Sequence, residues 1–147
     1  MGKIIIDASV VLKWYLDNEE YGEIAIKLLG EYVSNQSEFF APSLLEYEVT
    51  NGLIIAKRRG RIEDVEVLKA LEGFINLDIK LKPLSLYYEK ILHYCKIYNV
   101  SVYDGSYLAL AEHEDIPFVT ADKRLYNSAK KVKWVKWLGN FTNKEVI

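Results

Sequence analysis

An α/β fold, a three-layer α/β/α sandwich with a mostly parallel central sheet of about five strands, is what this sequence predicts. Three observations predict it. Short apolar runs alternate along the chain with longer stretches whose apolar residues recur every three or four positions. Two of the short runs, Ile4-Ile5-Ile6 and Ile116-Pro117-Phe118-Val119, are continuously apolar, as strands buried on both faces are. The resulting order, βααβααβααβαβ or close to it, is that of a sheet covered by helices on both sides.

Taken in order, Lys3 to Ile6 forms the first strand and stops at Asp7. Ala8-Ser9 turns into a helix from Val10 to Leu16. Glu20 to Val33 carries Ile24, Leu28 and Tyr32 at helical spacing, with Ala25 and Leu29 alongside. Ser34 to Ser37 is a polar turn and Glu38 to Ala41 a short strand. Pro42 opens a helix from Ser43 to Arg59, where its missing N–H costs nothing, and Gly60 stops it. A helix from Arg61 to Ile75 turns Val67, Ala70, Leu71 and Phe74 inward. Asp78 to Leu81 alternates as a strand and ends at Pro83. Ser85 to Tyr98 is helical with Tyr88, Ile91, Leu92 and Cys95 inward, so Cys95 is core rather than nucleophile. Tyr107, Leu108 and Ala111 follow Asp104 at helical spacing, ahead of the strand at Ile116 to Val119. Val132 to Trp137 alternates lysine with Val and Trp, the pattern of an edge strand. The tail from Asn140 to Ile147 is expected to be loosely held.

The 147 residues, half of them apolar, suit one domain over 1–147 with a substantial core. No apolar run approaches the ~20 residues of a membrane span. The opening MGKIIID reads as a strand rather than a signal peptide, because an acid interrupts its apolar run at once. Cys95 is the sole cysteine, which excludes an internal disulfide and suits a reducing cytoplasm. A net charge of −2 excludes a polycation that coats nucleic acid indiscriminately. Two local basic patches remain, Lys57, Arg58, Arg59 and Arg61, then Lys130, Lys131, Lys133 and Lys136. Solvated surface charge is the plainer reading of both.

The acids carry the chemical signal. Asp7 ends an apolar strand, and a carboxylate there is costly to bury unless something pairs with it, which favours function over helix capping. Asp104 begins a helix and Asp122 follows a strand. Both positions fall at the carboxyl edge of a parallel sheet, where α/β proteins bind ligands. Capping explains either one equally well, with Ser101 and Asp104 as a capping box and Asp122 at the head of a helix from Lys123 to Ala129. Glu48 shares a stripe with Leu44, Asn51, Gly52 and Ile55, whereas Glu46 shares one with Thr50, Leu53 and Lys57. That makes Glu48 with Asn51 the inward pair, against the plainer reading of an exposed glutamate with a local hydrogen bond. Clustered carboxylates repel one another and raise one another's pKa, and oxygen donors select Mg²⁺ or Mn²⁺ to relieve this. Zinc is disfavoured because His93, His113 and Cys95 show no ligand spacing, and both histidines read as structural. There is no phosphate-cradling glycine loop and no Gly-x-Ser-x-Gly turn.

The stretches IIIDASVVLKWY, APSLLEYEVTNGL and VSVYDGSYLALAEHEDIPFVTAD, with the lengths between them, resemble a PIN-domain ribonuclease of the VapC toxin type, found in toxin–antitoxin pairs. The resemblance runs from Lys3 to Trp137. It implies a PIN-like fold and metal-assisted hydrolysis of RNA, with Mg²⁺ or Mn²⁺ held by Asp7, Glu48, Asp104 and Asp122, directly or through water. Ser9 and Thr120 match small hydroxyl positions beside such a site, and Glu48 with Asn51 match the family's Glu-x-x-Asn pattern. Gly105 departs from the family's usual, slightly larger residue, with no loss of chemistry expected. The resemblance also implies a small antitoxin partner and a homodimer, for which Trp14, Tyr15 and Trp137 offer themselves as interface or core. Lys57, Arg58, Arg59 and Arg61 would meet RNA or the antitoxin. Two rival readings stand beside this one. The first is a non-catalytic interaction domain whose acids are caps or hold a structural metal. The second is a flap-type DNA nuclease, a related but usually larger and more acidic family.

Overall fold

Three consecutive isoleucines, all fully buried, make the first strand the middle of the sheet. The structure is a computed structural model and describes residues 2–141. Its elements are β1 (Gly2–Ile6), α1 (Ala8–Tyr15), α2 (Gly22–Val33), β2 (Ser37–Pro42), α3 (Leu45–Arg58), α4 (Asp64–Asn76), β3 (Lys80–Lys82), α5 (Tyr88–Tyr98), α6 (Val102–Glu114), β4 (Phe118–Thr120), α7 (Lys123–Ala129) and β5 (Val135–Trp137). Short 3₁₀ turns at Leu84–Leu86 and Leu138–Asn140 complete them.

All strand pairs are parallel, in the order β3-β2-β1-β4-β5. Ile5 lies between Phe40 on one side and Phe118 on the other. From β1 the chain steps outward to β2 and β3, then crosses back to β4 and β5. Right-handed crossovers therefore place α1–α4 on one face and α5–α7 on the other. The direction of travel reverses between β1 and β4, so their carboxyl ends form the switch point at which α/β sheets bind ligands. Asp7 follows β1 directly, and Ala121-Asp122 follows β4.

The core is filled by stacked aromatics as well as aliphatics. Tyr32 stacks on Phe39 with centroids 4.6 Å apart, Trp14 on the same ring at 5.7 Å, and Tyr107 on Phe118 at 5.2 Å. Trp14 also donates its indole N–H to the Ala25 carbonyl at 2.8 Å, which ties α1 to α2 and makes it a packing residue. A Cβ at Gly105 would stand 3.1 Å from the Cys95 Sγ, so the bare backbone there lets α6 close on α5. Cys95 is half-buried at that contact. Gly60 ends α3 with φ +75°, the left-handed stop expected of it.

Several expectations are corrected. Pro42 closes β2 instead of opening α3, where its missing N–H is no loss at the strand's last position. The next helix begins only at Leu45. The helix after Gly60 starts at Asp64, because Glu63 and Glu66 form a capping box there. In α5 the inward residues are Ile91 and Tyr94, while Tyr88 and Leu92 are exposed. The 3₁₀ turn before α5 and the Tyr94 hydroxyl, which donates to Glu112 at 2.8 Å, set that rotation. His93 consequently lies exposed, and so does His113 in the last turn of α6. The edge strand is only Val135–Trp137. Phe141 is buried in the core, so the tail is held at least that far; residues 142–147 lie outside the described ones.

Candidate active site at the carboxyl edge of the sheet

Asp7 is the best-organised group of this edge. Burial at the strand end is forced by the sheet, and two hydroxyls answer it. Ser9 Oγ donates to Oδ1 and Thr120 Oγ1 donates to Oδ2, each at 2.5 Å. Both hydroxyls are themselves held by the loop after β4. Ala121 N–H donates to Ser9 Oγ at 2.8 Å and Asp122 N–H donates to Thr120 Oγ1 at 3.1 Å. Backbone amides, hydroxyls and carboxylate thus form one directed network across the switch point. Burial pushes the Asp7 carboxyl from 3.8 up to about 7. The two hydroxyls pull it down in part, and the charges of Asp122 and Glu48 push it up further.

The other three acids come from helices. Glu48, in the first turn of α3, accepts a hydrogen bond from the buried Tyr107 hydroxyl at 2.6 Å. Burial raises the Glu48 carboxyl, the Tyr107 bond opposes that, and Asp104 and Asp122 add to the rise. Tyr107 is pushed well above its ordinary range by burial and by the charges of Glu48, Asp7 and Asp104. Asp104 stands in the first turn of α6 and accepts from Arg124 at 3.2 Å. Burial raises its carboxyl, Arg124 holds it down, and Asp122 pushes it up. Asp122 heads α7, accepting the Leu125 N–H at 3.1 Å. The charge of Asp122 thus acts on Asp7, Glu48 and Asp104 alike.

Capping and membership of this edge prove compatible. Asp7 and Asp122 each cap a helix, since Val10 N–H also points to Asp7 at 3.4 Å. Ser101 caps α6, accepting the Asp104 N–H at 3.0 Å, and the Asp104 carboxylate turns to Arg124. On α3 the buried stripe is Leu45, Val49, Leu53 and Ala56; Glu48 flanks it half-buried, and Asn51, Ile55 and Glu46 are exposed. The basic residues of the α3 end lie apart from the acids. Lys57 pairs with Asp64 at 3.5 Å, and Arg61 with Glu19 at 2.8 Å and with the Asp17 carbonyl at 3.0 Å. Arg58 and Arg59 are exposed. Tyr107 and Arg124 are the site residues that sequence reasoning missed. Tyr107 reads as core from its spacing, and nothing local announces that Arg124 reaches back to α6.

Among the described residues, no three of His, Cys, Asp and Glu stand close enough to hold one metal ion between them. The donors on this edge are carboxylate and hydroxyl oxygens, the set that hard cations prefer. Mg²⁺ keeps several of its waters and takes one or two carboxylates directly, so the donor chemistry suits such an ion.

Fold and edge together define an α/β protein with coupled carboxylates at the switch point of a parallel sheet. The PIN domain family matches residues 4–131, and the chain belongs to that family. It is similar to Ribonuclease VapC12 of Mycobacterium tuberculosis, 30% identical over 125 residues, which is 85% of this chain and 91% of that protein. Ribonuclease VapC3 of Pyrobaculum aerophilum is 32% identical over 127 residues, 84% of this chain and 92% of that one. Among solved structures, PAE2754 from Pyrobaculum aerophilum superposes with a TM-score of 0.66 at 18% identity, covering 94% of this chain and 85% of that one, a likeness of fold.

Proposed function

We propose that this protein is a metal-dependent endoribonuclease of the VapC toxin kind, working as one domain. Asp7, Glu48, Asp104 and Asp122 would hold Mg²⁺ or Mn²⁺, directly or through water. The observation that carries the reading is Asp7. A carboxyl buried at the switch point, with both oxygens held by hydroxyls and its ionisation disfavoured by burial and by neighbouring acids, is a group that a cation would favour in its charged form. Relatives named ribonucleases along most of their length support the substrate.

A divalent cation bound there supplies an activated water and positive charge against the phosphate in the transition state. The chain's own residues position and charge the site. Ser9 and Thr120 fix the plane of the Asp7 carboxylate through both of its oxygens. Tyr107 fixes Glu48 in the same manner from the other face of the sheet. Outer partners of this kind set ligand orientation and basicity. Asn51, exposed a turn beyond Glu48, would orient a water or a ligand beside the site. Arg124 opposes the rise that burial gives the Asp104 carboxyl and offers an exposed guanidinium to phosphate. Arg58 and Arg59, exposed at the end of α3, would meet RNA or the antitoxin with Lys57 and Arg61. A small antitoxin, a homodimer and a cytoplasmic location complete the proposal. Among the described residues no helix is long and apolar enough to cross a membrane.

The test is cleavage of end-labelled RNA with Mg²⁺, with Mn²⁺ and with chelator, using Asp7→Asn as the control. Metal-dependent cutting lost in the variant supports the assignment, and equal cutting by both proteins overturns it. One observation favours a second reading: Asp7 and Asp122 both serve as helix caps. An interaction domain with a capping acidic cluster would cut no RNA in that assay under any of the three conditions.

A further inference from the structure

Beside the acids lies a cleft of about 380 Å³, within the ~300–1,000 Å³ range of small-molecule sites. It shares a wall with the acid edge through Ala121, whose N–H holds Ser9, and through Lys123, which follows Asp122. Tyr21, Tyr126 and Trp137 line it. We propose that this cleft is a nucleobase subsite, taking the base of a nucleotide adjoining the phosphodiester at the acids and stacking it on these rings. The proposal rests on the ribonuclease reading and adds to it where on the protein a base is gripped.

The rings differ from those of the core. Core aromatics are spent on one another in near-parallel stacks: Tyr32 and Phe39 lie 8° apart, Tyr107 and Phe118 15°. At the cleft, Tyr126 meets Trp137 at 5.3 Å tilted by 48°, and Tyr21 meets Trp137 edge-on at 5.9 Å and 85°. No pair there is stacked face to face, and all three residues are half-exposed. The chain also meets a cost to put them there. Tyr21 sits at φ 60°, ψ 19°, a left-handed conformation unfavourable to a bulky residue. Gly139 makes room for them, since a Cβ on it would come within 2.8 Å of the Tyr21 ring and 2.7 Å of the Trp137 indole nitrogen.

The remaining lining suits the rest of a nucleotide. Lys13, only 9% exposed, lies on the wall with its ammonium 3.7 Å from Glu19, a long contact that leaves donors free for phosphate. Lys123 adds a second cation. The Asn127 amide can both donate and accept, and the Glu20 carboxylate accepts, as the edge of a base requires. Stacking of a base on aromatic side chains is tolerant of sequence, so the three rings set affinity and these two polar groups set preference.

The three tryptophans make the test direct. Trp14 and Trp134 have indole N–H groups engaged by the Ala25 carbonyl and by Asp115, and serve as internal controls for Trp137. The protein would be titrated with AMP, GMP, CMP, UMP and ribose 5-phosphate while the three indole signals are followed by NMR. At least one nucleotide should move the Trp137 signal, and ribose 5-phosphate should bind at least about fivefold more weakly. Tyr126→Leu, checked for an unchanged melt, should weaken that nucleotide by about 5- to 150-fold, the worth of one base–aromatic stack. An unmoved Trp137 with all four nucleotides, or binding that ribose 5-phosphate matches, overturns the proposal and leaves the cleft to a protein side chain. Those wild-type results decide even where the variant fails to fold. RNA with a single abasic nucleotide provides the second arm: loss of the base at one position near the cut should slow cleavage by wild type and not by Tyr126→Leu. Nucleotide binding at Trp137 without cleavage of any RNA supports the cleft and sinks the ribonuclease reading. Cleavage indifferent to every abasic position sinks the cleft and spares that reading.

Discussion

Asp7 and Asp104 lie on the same edge, yet they are held in opposite ways. Asp7 ends the central strand, with each oxygen taken by a hydroxyl at 2.5 Å and each hydroxyl fixed by a backbone amide. Asp104 sits in the first turn of a helix and gives one oxygen to Arg124, a guanidinium whose side chain is 74% exposed, at 3.2 Å. The first arrangement is set by strand register and cannot relax without slipping β1 against β4. The second depends on one contact from an exposed guanidinium, which can swing away without disturbing the sheet. A site so built has a fixed pole and an adjustable one. Its substrate-facing geometry can change at Asp104 while the Asp7 pole stays in place.

Substitution should abolish cleavage at either pole and separate them by stability. Asp7→Asn and Asp104→Asn should each lower cleavage by at least about a hundredfold, as loss of a preorganised electrostatic group does. Residual cleavage near wild type in either variant, measured on labelled RNA in Mn²⁺, would break the comparison at its root.

The next largest effect is on pH-dependent stability without metal. Between about pH 4 and 7 native Asp7 keeps a proton that the unfolded chain has released. Stability therefore falls as pH rises through that window, and the deficit persists above it. Three pH units at roughly 1.4 kcal/mol each put the loss on the order of 4 kcal/mol. Thermal melts across pH should show this fall in wild type and lose most of it in Asp7→Asn, with a smaller change in Asp104→Asn. At a hundredfold excess over its dissociation constant, Mn²⁺ should restore about 2.7 kcal/mol at neutral pH, and should restore nothing when both aspartates are changed to asparagine. Equal stabilisation of wild type and double variant would place the ion elsewhere.

Smaller effects sharpen the picture of the helix-borne pole. Glu48→Gln should remove activity while Glu46→Gln, on an exposed position, leaves it near wild type; the reverse ranking would assign the wrong face of α3. Tyr107→Phe should cost about tenfold in metal-dependent cleavage, the usual price of losing a partner that orients a ligand. An unchanged metal titration would reduce Tyr107 to packing. Least of all, Arg124→Ala should shift stability by under about 0.5 kcal/mol, since the guanidinium lies in solvent and is screened there, and slow cleavage only a few fold. A change of kcal size in its melt would show that the adjustable pole is as fixed as the other.

What the sequence made legible follows the same division. Asp7 stood out because an apolar strand stopped at it, and Asp122 because a second such strand did; period and burial are local signals, whereas Ser9 and Thr120 came only with the family resemblance. The order of elements was legible for the same reason. Glu48 was harder, because the stripe chosen for it proved to flank the buried one. Tyr107 and Arg124 stayed hidden because their partners lie 59 and 20 residues away, and no local pattern encodes a hydrogen bond across the sheet. The inward face of α5 was misjudged for a kindred reason: a 3₁₀ turn and the Tyr94–Glu112 bond rotated it, and both are tertiary facts.

The strand order has a consequence for when this acid edge assembles during the protein's own synthesis. The Thr120–Asp7 bond spans 113 residues, and the first strand's second neighbour is the fourth strand. Contacts this distant in sequence form late, after the cost of closing a long loop has been met. A nascent chain with its first two strands and four helices already outside the ribosome still lacks Asp104, Thr120 and Asp122. It carries Asp7 and Glu48 with no opposing half. At translation rates of roughly 5–20 residues per second, the site stays unassembled for several seconds after its first acid has emerged. Timing, written into the topology, leaves a partly made copy without its assembled acid edge.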